Sequence, residues 1–413
     1  MEKITIFENK RVVLAVTGSI AVYKAVDLAS KLTQAGALVD VVMTDSAQRF
    51  ITPLTFQSVT GRPVYTQLWQ SDSTGGLPTH IAHVGLGEGA DVIAVMPATA
   101  NTIARLAQGM ADDLLTVTAL AARCPLLIAP AMDGGMYEHP ATQANVKTLV
   151  ERGVILIEPE SGRFASGLTG RGRLPETPTL MGQIRRVLGR EGVLQGRKVI
   201  VSAGGTQEPL DPVRFITNRS SGKQGYALAQ AALDAGASEV VLVSSTTGLP
   251  TPSGAQLIPV ESAAQMLDEI QKHSTNADVL IMAAAVADFR PAEVATQKIK
   301  KQDDGEGITL NLTRNPDILM NVNTQRQKSG YPRVVVGFAA ESQHLLENAQ
   351  SKLTRKGLDF IVANDITAQD AGFATETNRV IILDKNGEHP LELISKAKIS
   401  EIIIEKAAKL LSK

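Results

Sequence analysis

The sequence has 413 residues, enough at roughly 150 per domain for two or three domains. Its 41 Lys+Arg against 42 Asp+Glu leave a formal charge of −1, and no apolar run nears the roughly 20 residues that span a bilayer, which argues against a dedicated nucleic-acid or membrane binder. The lone Cys124 rules out a disulfide framework and a cysteine zinc cage, the start shows no apolar signal core, and a soluble cytoplasmic protein is expected.

Arg11–Thr17 is a short apolar run ending at Gly18, which reads as a buried parallel strand feeding a tight turn. A helical pattern runs from Val22 to Gln34 and stops at Gly36, and Val39–Thr44 reads as the next strand. Further strands are read at Val92–Met96 and Leu126–Ala129. Glycine and charge replace periodicity over Leu188–Gly196, which marks the joint between two halves. The second half repeats the plan. Lys198–Ala203 is a strand, Gly204–Gly205 the turn, Tyr226–Asp234 a helix and Glu239–Ser244 the next strand. Val279–Met282, Val334–Gly337 and Phe360–Ala363 follow as strands, and Ile394–Leu411 as an amphipathic helix. Strands alternating with helices predict two doubly wound α/β domains with parallel sheets.

Ligands of such sheets sit at the carboxyl ends of strands. In the first half these ends carry Thr17-Gly18-Ser19, Thr44-Asp45-Ser46, Pro97 to Asn101, and Pro130 to Asp133. All are small, hydroxylated or capping residues at helix starts, where backbone N–H groups can hold a phosphate. They do not fit G-x-G-x-x-G. His80 and His83 lie in THIAHVG, where an imidazole suits proton transfer and a solvent-facing loop histidine looks the same. In the second half, Lys298 and Lys300 of QKIKK fit neutralisation of phosphate charge, and their alternation equally fits an edge strand. Gly204-Gly205-Thr206 either admits a phosphate or is a tight turn.

Two sets of strings carry a resemblance. The first half has AVTGSIAVYKA, PATANTIARLAQGMADDLLT, PAMDGGMY and SGRFASGLTGRGRLPE. The second has AGGTQEPLDPVRFITNRSSGKQGYALA, AAAVADFRP, QKIKK, RNPDIL and VGFAAES. The first half resembles flavin-containing cysteine decarboxylases. The whole chain resembles the bifunctional phosphopantothenoylcysteine decarboxylase / phosphopantothenate–cysteine ligases of coenzyme A biosynthesis. The resemblance implies a decarboxylase domain over 1–188 and a ligase domain over 197–413, both Rossmann-like. It implies FMN lined by Gly18, Ser19, Thr44, Pro97, Thr99 and Asn101, with His83, eight residues before Asp91, as the base. Asp133 and Met136 would hold substrate, and Ser166 would serve the reduction step. The family usually has asparagine at the place of Asp133 and cysteine at that of Ser166. A serine hydroxyl is a weaker acid than a thiol of pKa about 8.5, so Arg163, Arg171, a water or another group would assist.

For the ligase, the resemblance implies CTP against Met282, Ala283, Ala284, Asp288, Pro316, Asp317, Ile318, Leu319 and Phe338, with Lys352 and Lys356 beside it. Lys298 would contact the nucleotide from a closing loop, and Asn218 would hold the acyl-cytidylate. Residue types alone do not separate CTP from ATP. A magnesium or manganese ion would accompany the nucleotide. The expected partners are small molecules, not nucleic acid or membrane. A large homo-oligomer, up to a dodecamer, with trimeric decarboxylase and dimeric ligase contacts is implied. Two other readings stay open. One is a ligase whose first half only binds flavin or oligomerises, and the other is a non-enzymatic regulator.

Overall fold

A computed structural model describes residues 4–69, 82–300, 309–341, 345–365 and 375–412. His80 and Lys301, the last residue of QKIKK, lie outside the described residues. The chain divides into two compact units, Met1–Leu188 and Gly189–Lys413.

The first unit holds β1 (Arg11–Val16), β2 (Leu38–Met43), β3 (Val64–Tyr65), β4 (Val92–Ala98), β5 (Leu126–Pro130) and β6 (Ile155–Leu156). They form one parallel sheet in the order β3-β2-β1-β4-β5-β6. Period-2 alternation sends side chains of one strand to opposite faces. Val12, Leu14 and Val16 therefore enter one core cluster, and Val13 and Ala15 the other. Each fully buried Val or Leu contributes about 1.5–3 kcal/mol over leaving it exposed, which is why these runs read as strands. Cys124 is half-buried against the second cluster. Past β6 an unforeseen antiparallel hairpin forms from β7 (Glu160–Arg163) and β8 (Thr169–Arg173).

The second unit holds β9 (Lys198–Ala203), β10 (Gln207–Pro209), β11 (Phe215–Thr217), β12 (Glu239–Ser244), β13 (Ala255–Pro259) and β14 (Val279–Met282). After them come β15 (Phe289–Pro291), β16 (Leu312–Arg314), β17 (Val334–Glu341), β18 (Phe360–Asp365), β19 (Thr377–Asp384) and β20 (Gly387–Ser395). The main sheet runs β13-β12-β9-β14-β17-β18-β19-β20, parallel through β18 and antiparallel beyond. β10 pairs with β11 and β15 with β16 as short ribbons. Two expectations are corrected. Ile394 and Ser395 close β20, so the final helix begins at Lys396, where the Ser395 hydroxyl caps it. Lys298–Lys300 form no strand, because the backbone of Ile299 bonds instead to the Asp211–Arg214 turn.

Both sheets place their first six strands in the doubly wound order 3-2-1-4-5-6. The order reverses between β1 and β4, and again between β9 and β14. In open sheets of this kind a ligand crevice lies outside the carboxyl ends at the reversal.

Candidate functional site

In the first unit, Thr17 joins the two strand ends at the reversal. Its buried hydroxyl donates to the Pro97 carbonyl (2.7 Å) and accepts from Thr99 N–H (3.1 Å). Thr44 caps the helix Asp45–Gln48, and Thr99 caps Ala100–Gln108, leaving exposed Asn101 in its first turn. Ser19 donates to Ala131 O at 3.3 Å. Gly18 is required by close approach, since a Cβ there would lie 2.5 Å from Ser46 Cβ. The helix Val22–Gln34 starts at Ala21 without a side-chain cap. Hydroxyls and helix N-termini thus gather at one sheet edge, a donor set that suits the phosphate and ribityl oxygens of a flavin nucleotide.

His83 is half-buried in the first turn of the helix Ala82–Gly89. Asp91 sits at the opposite, amino edge, where its carboxylate accepts from Arg11 N–H (2.8 Å) and Lys10 Nζ (2.9 Å). Eight helical residues span about 12 Å. A crossover helix runs antiparallel to its strands, so its first turn lies toward their carboxyl ends. The helix thus separates the backbone of His83 from Asp91 along the sheet.

Asp133 caps the helix Gly134–Glu138, accepting from Gly135 N–H at 3.2 Å. Its other oxygen accepts from Ser166 Oγ at 2.8 Å. The two residues flagged as departures therefore touch. Ser166 lies on the turn of the β7–β8 hairpin, which docks by Met132 N–H to Gly172 O (3.0 Å). Gly172 has φ +155, and a Cβ there would strike the Met132 carbonyl oxygen at 2.3 Å, so no side chain fits. Met136 is 52% exposed beside them. Arg171 is engaged elsewhere, paired with Glu158 at 2.7 Å and lying over the Tyr137 ring. Burial, then the neighbouring Glu158 carboxylate, push the Tyr137 hydroxyl up from its ordinary pKa.

In the second unit a cleft of about 870 Å3 opens at the reversal. Buried hydroxyls from the β9 end hold the β14 exit loop: Ser202 accepts from Ala284 N–H (3.1 Å) and Thr206 from Ala287 N–H (2.9 Å). Asn218 donates to the carbonyls of Ala285 (3.4 Å) and Val286 (3.2 Å). Its ribbon passes hard against the turn, where a Gly205 Cβ would lie 2.4 Å from Asn218 O. Asn218, Met282–Ala284, Asp288, Pro316–Leu319, Phe338, Lys352 and Lys356 all line this one cleft. Asp317 caps the helix Ile318–Ser329 and pairs with Lys356 at 3.0 Å, while Lys352 donates to Phe338 O at 2.9 Å. The helix carrying Lys352 ends at Arg355, and Lys356 is the next residue. Lys298 is exposed and is not among the lining residues.

Sequence reasoning missed the other wall. Gly222, with φ +76, opens the helix Lys223–Asp234 toward the cleft without a side-chain cap. Lys223 and Lys396 each begin a helix and line the cleft, and Gln224 ties the two helices by donating to Lys396 O and Ser400 Oγ. Burial, then the Lys223 charge, pull the Lys396 amine below its ordinary pKa, with Glu376 opposing. Ser-Ser-Gly before a helix was a readable sign for Lys223, whereas Lys396 carried none. Among the described residues, no group of three or more His, Cys, Asp or Glu could hold a metal ion.

The flavoprotein family model matches residues 3–189, and the model of the DNA/pantothenate metabolism flavoprotein C-terminal domain matches 194–411. The coenzyme A biosynthesis bifunctional protein CoaBC of Bacillus subtilis is 45% identical over 406 residues, covering 97% of each chain. The protein of the same name from Mycobacterium tuberculosis is 45% identical over 407 residues, covering 96% of each. A solved C-terminal domain of such a CoaBC protein is 37% identical, covers 54% of this chain and 99% of its own, and superposes with a TM-score of 0.45. The chain belongs to the family of bifunctional coenzyme A biosynthesis proteins, with a flavoprotein domain followed by a pantothenate-metabolism domain.

Proposed function

We propose that this enzyme carries out two successive steps of coenzyme A biosynthesis. The second unit ligates cysteine to phosphopantothenate with CTP, and the first decarboxylates the product to phosphopantetheine. The observation that carries the reading is the cleft. Residues from Asn218 to Lys356, scattered through the second unit, meet at its topological reversal. The reading of the first half as a mere flavin-binding module is not favoured, since relatives named bifunctional match across both halves.

In the ligase, the substrate carboxylate attacks CTP, forming an acyl-cytidylate and releasing pyrophosphate. The cysteine amine then displaces CMP, so the protein needs no nucleophile of its own. Its work is to hold charge and orient the acyl group. The Asn218 amide faces the acyl-nucleotide with a donor and an acceptor. Lys352 and Lys356 face the nucleotide, and Lys298 reaches it from its loop. Magnesium is held through one or two carboxylates plus substrate phosphates, and Asp288 in the cleft wall fits that role.

In the decarboxylase, a bound FMN supplies a reversible hydride acceptor, which lets carbon dioxide leave next to an oxidised thiol carbon. Gly18, Ser19, Thr44, Pro97, Thr99 and Asn101 form its cradle. His83 takes the thiol proton. Asp133 and Met136 seat the cysteine end, and Ser166 relays a proton in the closing reduction. The protein works in the cytoplasm as a homo-oligomer with trimeric decarboxylase and dimeric ligase contacts. Exposed Ile20, Tyr23 and Leu54, each above 60% accessible, support a buried interface on the first unit. The test is the purified chain given phosphopantothenate, cysteine and CTP. Pyrophosphate, then carbon dioxide, and flavin absorbance in an assembly larger than a monomer are expected. Pyrophosphate without carbon dioxide from a flavin-loaded protein would reject the second step, and a flavin-loaded monomer by light scattering would reject the assembly.

A further inference from the structure

Asp211 opens the turn between β10 and β11, and its side chain is wholly inaccessible. One carboxylate oxygen accepts from Val213 N–H (2.8 Å) and Arg214 N–H (2.9 Å), which shapes the turn. The other accepts from Arg214 Nε (3.0 Å) and Nη2 (2.6 Å), and also from Ile299 N–H at 3.1 Å. The same Arg214 Nη2 donates to Ile299 O at 2.9 Å. A buried carboxylate and its half-exposed arginine partner therefore grip both backbone groups of one residue, 85 positions beyond Arg214, and that residue lies between Lys298 and Lys300. A second tie lies close by, from Ala295 N–H to Leu210 O at 3.0 Å. Four residues beyond Arg214 the same ribbon delivers Asn218 to the cleft.

Such a grip on a loop calls for a reason. Lys298 is exposed and projects from a stretch without helix or strand. A lysine there carries many rotamers, and an unanchored backbone would multiply them. Five donors on one carboxylate, a fixed arginine fork and a lost solvent shell are a large commitment for a stretch with no packed apolar side of its own. The carboxyl is held far below its ordinary range, first by the Arg214 bonds and then, against desolvation, by the backbone N–H groups of Val213, Ile299 and Arg214.

We propose that Asp211, acting with Arg214, is a positioning residue of the ligase, pinning Ile299 so that Lys298 starts from a fixed place relative to Asn218. This rests on the reading of Lys298 as a nucleotide contact. A misplacement of about 1 Å at a reacting group can cost roughly a hundredfold, and it acts on the step that uses that group.

Asp211→Asn keeps the side-chain shape but turns an amide N–H, or a weaker neutral oxygen, toward Arg214 and Ile299. Ile299→Pro removes the gripped N–H and leaves Asp211 and its turn intact. Both variants should lower kcat/KM for CTP in pyrophosphate release by roughly ten- to a hundredfold. Decarboxylation of supplied phosphopantothenoylcysteine should stay at the wild-type rate, which also reports on folding of the chain. Trypsin should cut faster after Lys298 or Lys300 in Asp211→Asn and after Lys300 in Ile299→Pro, whose Lys298–Pro bond resists trypsin, mapped by peptide mass, and Arg214→Lys should fall between Asp211→Asn and wild type. A purely structural role would not couple faster loop cleavage to a CTP-specific defect. Wild-type cleavage and wild-type kcat/KM in both variants overturn the proposal. If Lys298→Gln itself releases pyrophosphate normally, the reading of Lys298 falls and takes the catalytic consequence of the clamp with it. Crippled Lys298→Gln beside a normal Asp211→Asn overturns the clamp alone.

Discussion

Replacing Gly205 by alanine tests whether the Asn218 ribbon must lie against the β9 exit turn. The added Cβ would sit 2.4 Å from the Asn218 carbonyl oxygen and 3.2 Å from the Thr217 hydroxyl. Ordinary contact begins at 3.4 Å, so the ribbon must retreat by 3.4 − 2.4, about 1 Å. It cannot yield by turning a side chain, because the clashing oxygen belongs to the backbone. The Asn218 amide is also tethered to Ala285 and Val286. Overpacking of this kind costs about 1–3 kcal/mol. For a unit of this size that is a fall of roughly 2–12 °C in Tm. On the proposed role of Asn218 in orienting the acyl-cytidylate, a shift of about 1 Å there should cost roughly a hundredfold in rate. Calorimetry of the purified chain reads the first quantity, and product formation from phosphopantothenate, cysteine and CTP reads the second. Decarboxylation of supplied phosphopantothenoylcysteine serves as the internal control and should not change. Gly205→Ala with wild-type Tm and wild-type ligation would refute the reasoning, because close packing would not then be what places Asn218.

Lys298→Gln should leave Tm unchanged, since the exposed side chain contributes no packing, and should cripple pyrophosphate release; wild-type release would remove Lys298 from the site. Ser166→Ala should slow the closing reduction more than the loss of carbon dioxide, so that enethiol product accumulates in single-turnover samples; equal slowing of both would end the relay assignment. Asp384 gives a pH test. Burial opposes its charge, but the bond from Lys406, the Asn386 N–H, and the charges of Lys406 and His389 outweigh it and hold the carboxyl below its ordinary value. A lowered folded pKa stabilises fully above the ordinary value of about 3.9 and is lost as pH falls through the folded value. Asp384→Asn should therefore cost about 1–3 kcal/mol at pH 7, and its deficit against wild type in denaturant titrations should close below about pH 4. A deficit that stays constant to pH 3 would contradict this.

Much of the fold was legible because parallel strands are buried on both faces. Lys198–Ala203, Glu239–Ser244 and Val279–Met282 are short apolar runs with glycine or polar ends, and hydrophobicity alone marks such runs. β19 and β20 were not legible. Glu388, His389, Pro390 and Glu392 interrupt any alternation in β20, which pairs with β19 along its length. The cleft residues could be named through the family resemblance, and several of them fall just after strands or at helix starts, where open sheets expose backbone. The tie between Asp211 and Ile299 joins positions 88 apart, and nothing local in either segment announces the other. Lys396 was hidden for a related reason: it reads as the first polar residue of an amphipathic helix, and its cleft-facing position depends on how that helix packs beside Lys223–Asp234.

The helix that starts at Lys396 also sets a timetable. Lys396 is part of the cleft wall, and Gln224 locks its carbonyl against the helix that starts at the cleft with Gly222. The ligase cleft therefore cannot close on a growing chain until Lys396–Leu411 has been translated. The flavoprotein unit has its whole core in residues made earlier, and it is free to fold while ligase residues are still being added. Synthesis thus finishes first the half whose chemistry comes second.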